Sequence, residues 1–150
     1  MDDLIDTLRQ QHWDIRSSCD ALDKFCKSGL SDNGSIEKWM GEQSNIIFHL
    51  KHFKKILLSH CKLEDAELYP ILFKAKDKRL RETSEKYANE IKLISKRVLS
   101  FFETYTHLKV DDLSQNEDFK LNLNTVITII KKRIDIEESE LFPLYSKVKK

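Results

Sequence analysis

His60 and Glu64 stand four residues apart, and the stretch that holds them occurs twice with one exchange. Residues 60–71 read HCKLEDAELYPI and residues 133–144 read RIDIEESELFPL, an offset of 73 residues. Glu64 then falls on Glu137, Asp65 on Glu138, Glu67 on Glu140, Leu68 on Leu141, Tyr69 on Phe142 and Pro70 on Pro143, while His60 falls on Arg133. A histidine four residues before a carboxylate puts both groups on one face of a helix, which is half a metal site. An arginine in its place is a permanent cation and no ordinary ligand.

The chain that must position these residues has 150 of them, about one domain, taken here as 1–150. Hydrophobic residues make up 40%, enough for a core, and only 3 Gly and 2 Pro leave little punctuation for a many-stranded fold. Charged residues make up 34% with a formal net charge of +1, which argues against a nucleic-acid partner. No apolar run approaches the roughly 18 residues of a membrane span, and the N-terminal MDDLIDTLRQQHWD has no signal-peptide core. Cys19, Cys26 and Cys61 are odd in number and lack paired spacing, which points to a reducing, cytoplasmic setting.

Helical periodicity predicts four segments, at about 2–27, 36–69, 78–107 and 119–148. The first carries a stripe of Leu4, Leu8, Ile15, Cys19, Leu22 and Cys26, with Gly29 and Ser35 as the expected stop and N-cap around the turn. The second places Ile46, Leu50, Phe53, Leu57, His60, Glu64 and Leu68 inward, and Pro70 is expected to end or kink it. The third carries Leu80, Ser84, Tyr87, Ile91, Ile94, Val98, Phe101 and Tyr105. The fourth carries Leu123, Val126, Ile130, Arg133, Glu137 and Leu141. These amphipathic segments with polar connections predict an all-α, up-down-up-down four-helix bundle, one helical hairpin used twice.

Five histidine, acidic or basic residues fall on the inward faces: His12, His60, Glu64, Arg133 and Glu137. Buried carboxylates are costly unless paired, hydrogen-bonded or bound to metal. Two histidines with two carboxylates suit a first-row transition metal such as iron, manganese or zinc. His49, His52 and His107 read as surface residues, Cys19 and Cys26 as core fillers, and Trp13 and Trp39 as ordinary anchors. Cys61, beside a candidate ligand but off the inward face, carries a weak suggestion of redox sensing.

With His12 on the first helix, H-x-x-x-E-x-x-x-L-Y-P at 60–70 and E-x-x-x-L-F-P at 137–143, the chain resembles the hemerythrin-like, HHE cation-binding family over nearly its whole length. That resemblance implies a four-helix bundle with a non-haem di-iron centre. The family's pattern is a histidine on the first helix, H-x-x-x-E on the second, a histidine on the third and H-x-x-x-E on the fourth. Here the fourth-helix histidine is Arg133, and no histidine lies between His60 and His107. The repeat offset carries His12 onto Glu85, a candidate third-helix ligand, whereas the apolar phase turns Ser84 or Tyr87 inward. The resemblance thus implies that His12, His60, Glu64 and Glu137 survive and that both histidines of the second iron are lost. Arg133 is expected to fill the vacated position and fork toward Glu64 and Glu137, replacing a metal's charge with a fixed cation.

Two functions follow. One is a metal-binding protein with one non-haem iron, or another divalent metal, that senses or binds iron, oxygen or nitric oxide, a small diatomic ligand being the implied partner. The other is a metal-free bundle that works as an interaction or regulatory module on an unknown protein partner. A homodimer is compatible with either. No general acid or substrate pocket is evident, so an enzyme is the least favoured reading.

Overall fold

The computed structural model of the protein describes residues 3–31, 36–106 and 117–149, with side chains described at 3–24, 46–106 and 118–149. All regular structure among them is helical. Helix α1 spans Asp3–Ser31. Helix α2 spans Ile36–Leu63, passes through a π-helical turn at Glu64–Leu68 and resumes over Tyr69–Leu72. Helix α3 spans Lys78–Tyr105. Helix α4 spans Glu117–Ile136, takes a second π turn at Glu137–Leu141 and continues as Phe142–Lys149. No helix among the described residues is long and apolar enough to cross a membrane.

Several local expectations are corrected. Helix α1 runs on through Gly29 to Ser31; a glycine inside a helix costs only about 1 kcal/mol relative to alanine. Ser35, His107 and most of the polar loop after it lie outside the described residues, as do the side chains of Cys26 and Trp39. Neither proline ends its helix. Proline has no N–H, and its ring clashes with the carbonyl four residues back in an α-helix. The π turn widens the ladder just before each proline: Tyr69 N–H donates to Glu64 O, and Phe142 N–H donates to Glu137 O. The two π turns fall on equivalent positions of the repeat.

The start of α3 is fixed by Asp77, whose side chain accepts from Arg79 N–H at 2.8 Å. Arg81 closes the preceding turn by donating to the carbonyls of Ala75 and Lys76. Helix α1 packs on α2 and α4, and α3 packs on the same two helices.

The apolar stripes form two separate clusters. One gathers Ile15, Cys19, Leu22, Leu50, Phe53, Phe102, Leu123 and Ile130 with their neighbours. The other gathers Ile5, Leu8, Leu68, Tyr69, Leu72, Ala88, Leu141, Phe142 and Tyr145. Between them along α1, α2 and α4 lie the polar positions His12, His60, Glu64, Arg133 and Glu137, each at most 4% exposed. Helix α3 is set more loosely: Leu80, Tyr87, Ile91 and Ile94 of its stripe are only half-buried. Leu4 and Leu57 are likewise half-buried, and Trp13 is 65% exposed rather than an anchor.

Candidate metal centre

Each polar residue of the buried layer is presented by its helix position. His12 sits one turn after Leu8 and one before Ile15 on the inward face of α1. His60 and Glu64 lie one turn apart on α2, as do Arg133 and Glu137 on α4. His12, His60, Glu64 and Glu137 each turn one donor atom to a common point, with those atoms all within 4.8 Å of one another.

The imidazoles are held from behind. His12 Nδ1 is 2.9 Å from Glu138 Oε2, and His60 Nδ1 is 2.7 Å from Gln11 Oε1. Both partners are acceptors, so each Nδ1–H donates outward and each Nε2 keeps its lone pair toward the cluster. The two Nε2 atoms face each other at 3.1 Å, and Glu137 Oε1 lies 2.8 Å from that of His12 and 3.2 Å from that of His60. Glu64 Oε2 approaches His60 Nε2 at 3.5 Å, yet neither carboxylate oxygen of Glu64 has a hydrogen bond. Phe142 stacks on the His12 ring at 5.3 Å between centroids and fixes its plane.

Four lone-pair donors aimed at one point repel one another unless a cation sits among them. A buried charge left uncompensated costs several kcal/mol, more than the roughly 1.5–3 kcal/mol that a buried leucine contributes. The point must therefore hold protons or a metal ion. The residues fit a metal: the Nε2-inward, Nδ1-outward arrangement is how ligating histidines are oriented, and the buried Glu64 carboxylate, 3.5 Å from His60 Nε2, has no hydrogen bond to either oxygen.

Without metal, protons take up the demand. Burial lowers the His60 pKa, but the hydrogen bond with Glu137 and the nearby Glu64 and Glu137 charges outweigh it and push the imidazole up to about 9. Burial, together with the Glu137 charge, raises Glu64 to about 8. Burial also opposes ionisation of Glu137, but hydrogen bonds from His12 and His60 overcome it and hold that carboxyl well below its ordinary value.

Arg133 meets the expectation in part. Its Nε donates to Glu137 Oε2 at 2.8 Å, but its Nη2 donates to the Tyr69 hydroxyl at 2.7 Å rather than to Glu64. The reason is direction: Arg133 points past Glu137 toward the second apolar cluster, where Tyr69 stands one turn beyond Glu64. Its Nη1 has no hydrogen bond and lies 3.9 Å from Glu90 Oε2, and its guanidinium carbon is 5.7 Å from the centroid of the Tyr87 ring. Tyr87 in turn donates to Glu140.

Glu85 is exposed on α3 and is not brought to the cluster. Ser84 and Ala88 are buried and set the inward face, and Glu85 is about 100° round the helix from Ser84. His52 is exposed as expected, whereas His49 is half-buried, with its ring edge-on to Phe48. Cys61 stands at the cluster's edge, Sγ 4.0 Å from Ser95 Oγ, and burial pushes its thiol up to about 12, which favours the protonated form. Gln11, Glu138 and Tyr69 were missed as site residues. Tyr69 had a signal in the repeat, since it is the hydroxyl-bearing counterpart of Phe142.

The model of one family, described as the hemerythrin HHE cation binding domain, matches residues 3–145. No curated protein and no solved structure matches the chain.

Proposed function

The chain belongs to the hemerythrin HHE cation-binding family, and from that premise we propose that it is a single-metal member, binding one ion where the family's centre holds two. The ion would be held by His12, His60, Glu64 and Glu137. Iron is the family's metal, and another divalent metal suits the same donors. A bound iron would supply a redox-active centre with coordination positions left for a small ligand. We read the protein as one that senses or binds iron, oxygen or nitric oxide. Arg133 stands where a second metal's charge would be, on Glu137. We take residues 1–150 as one up-down-up-down domain acting in the cytoplasm, in keeping with Cys19 and Cys61 as free thiols.

The observation that carries this reading is the pair of outward-tethered histidines facing a buried Glu64 carboxylate that has no hydrogen bond. Charge accounting agrees. Two carboxylates and one guanidinium leave the buried layer with one net negative charge, since Glu138 at its edge is paired with Arg16 at 3.6 Å, and a cation among the ligands offsets it.

The second reading, a metal-free bundle serving as an interaction module, also has support, since a proton shared by His60 and Glu64 neutralises the buried layer itself. Metal titration separates the two. The first predicts one equivalent of iron(II) or cobalt(II) per chain, a higher Tm with metal, and reversal by chelator. A Tm indifferent to metal and chelator would support the second.

A further inference from the structure

The buried cluster is closed on three sides. Glu138 covers His12. Gln11 covers His60. Arg133 with Tyr69 covers Glu137. Toward α3 it is different, because at this level α3 offers half-buried Tyr87, Ile91 and Ile94 instead of a buried polar side chain. Two cavities meet there. An inner one of about 50 Å³ touches His60, Arg133 and Glu137 and is walled by aliphatic side chains such as Ile94 and Ile130. An outer one of about 250 Å³ lies between α2 and α3, touches Glu64, and is bordered by Asp65, Lys92 and Lys96. Cys61, Ile91 and Ser95 line both. Glu64, 1% exposed and with neither carboxylate oxygen hydrogen-bonded, forms the floor of the outer cavity.

We propose that this cleft between α2 and α3 is the route by which a metal cation passes from solvent to Glu64, and that Lys92 and Lys96 limit the rate of its passage. The proposal rests on the single-metal reading. Asp65 at the mouth and Glu64 at the floor form two carboxylates in series, along which a cation exchanges its water for protein oxygen. Lys92 and Lys96, exposed one turn apart on α3 at the same mouth, oppose the approach of a cation. Charges at a mouth change encounter rates by 10- to 1,000-fold at low ionic strength, and salt removes the effect. Cys61 and Ser95 set the aperture with small side chains.

The test is stopped-flow uptake of cobalt(II) by the metal-free full chain, read by the absorbance of the bound ion. Reversing both mouth charges, Lys92→Glu with Lys96→Glu, is expected to speed uptake at least tenfold in low salt. The rates should converge with wild type at about 1 M salt. Ser95→Phe is expected to slow uptake at least tenfold, with the same one equivalent bound at the end. If Ser95→Phe fails to fold, the two exposed lysines still decide the matter. Rates within twofold of wild type for the charge-reversed protein would overturn the route and leave the single-metal reading standing. Failure of wild type to bind any cobalt would overturn both.

Discussion

His12 Nε2 and His60 Nε2 face each other at 3.1 Å, while the other ring nitrogen of each is tied away from the cluster. Neither imidazole is free to turn, so the two lone pairs are held together by Glu138 and Gln11 rather than by each other. Most of what the site can do follows from that constraint.

Removing the outer partners should loosen the site without abolishing it. Gln11→Ala and Glu138→Ala are each expected to weaken metal affinity by about 10- to 100-fold. The stoichiometry at saturation should stay the same. Competition titration against a chelator of known affinity measures this. An unchanged affinity in both variants would mean that the tethers do not orient ligands.

Arg133 should matter most when no metal is present. Arg133→Met leaves Glu137 Oε2 and the Tyr69 hydroxyl without their buried donor. The metal-free protein should lose about 3–5 kcal/mol in chemical denaturation. Tyr69→Phe should lose about 1–3 kcal/mol by orphaning Nη2. The double variant should lose less than the sum, because both changes break one bond. Strict additivity would show that the Arg133–Tyr69 contact does not hold in solution.

Stability and metal affinity should move in opposite directions with pH. The His60 pKa rises from 6.5 to about 9, so the stability it adds is whole below pH 6.5 and gone above pH 9. The Glu64 pKa rises from 4.5 to about 8, so the benefit of its protonated form fades over that range. Glu137, held below its ordinary 4.5, contributes above that pH and loses its contribution as the pH falls further. The metal-free protein should therefore be most stable on the acid side of neutrality and weaken from about pH 4.5 to 9, most steeply between 6.5 and 8 where the two ranges overlap. A metal must displace the same protons, so its affinity should rise over that interval. Denaturation curves and metal titrations at matched pH test both slopes. A metal affinity independent of pH would contradict the assignment of His60 and Glu64.

The bundle's inward faces were legible in the sequence because apolar residues recur at three and four along α1, α2 and α4. The same periodicity singled out His12, His60, Glu64, Arg133 and Glu137. It held in part on α3, where Ser84, Val98, Phe101 and Tyr105 of the stripe are buried and Leu80, Tyr87, Ile91 and Ile94 are only half-buried. There the repeat offset, a numerical match, pointed to Glu85, whose helix phase puts it in solvent. The π turns were hidden because Pro70 and Pro143 read as helix breakers, and a widened ladder that absorbs a proline leaves no separate mark. Gln11 and Glu138 reach their histidines across helix boundaries, and periodicity along one helix is blind to such contacts. Tyr69 is the instructive omission: the repeat differs at His60 against Arg133 and again at Tyr69 against Phe142. The structure joins these differences, since the tyrosine of one half receives the arginine of the other.

One metal per chain, with Arg133 in place of a second, is open to anomalous diffraction from crystals grown with iron(II). One anomalous peak per chain is expected, bounded by His12, His60, Glu64 and Glu137, with the Arg133 guanidinium still on Glu137. A second peak between Glu137 and α3, or the absence of any peak within the cluster, would contradict it.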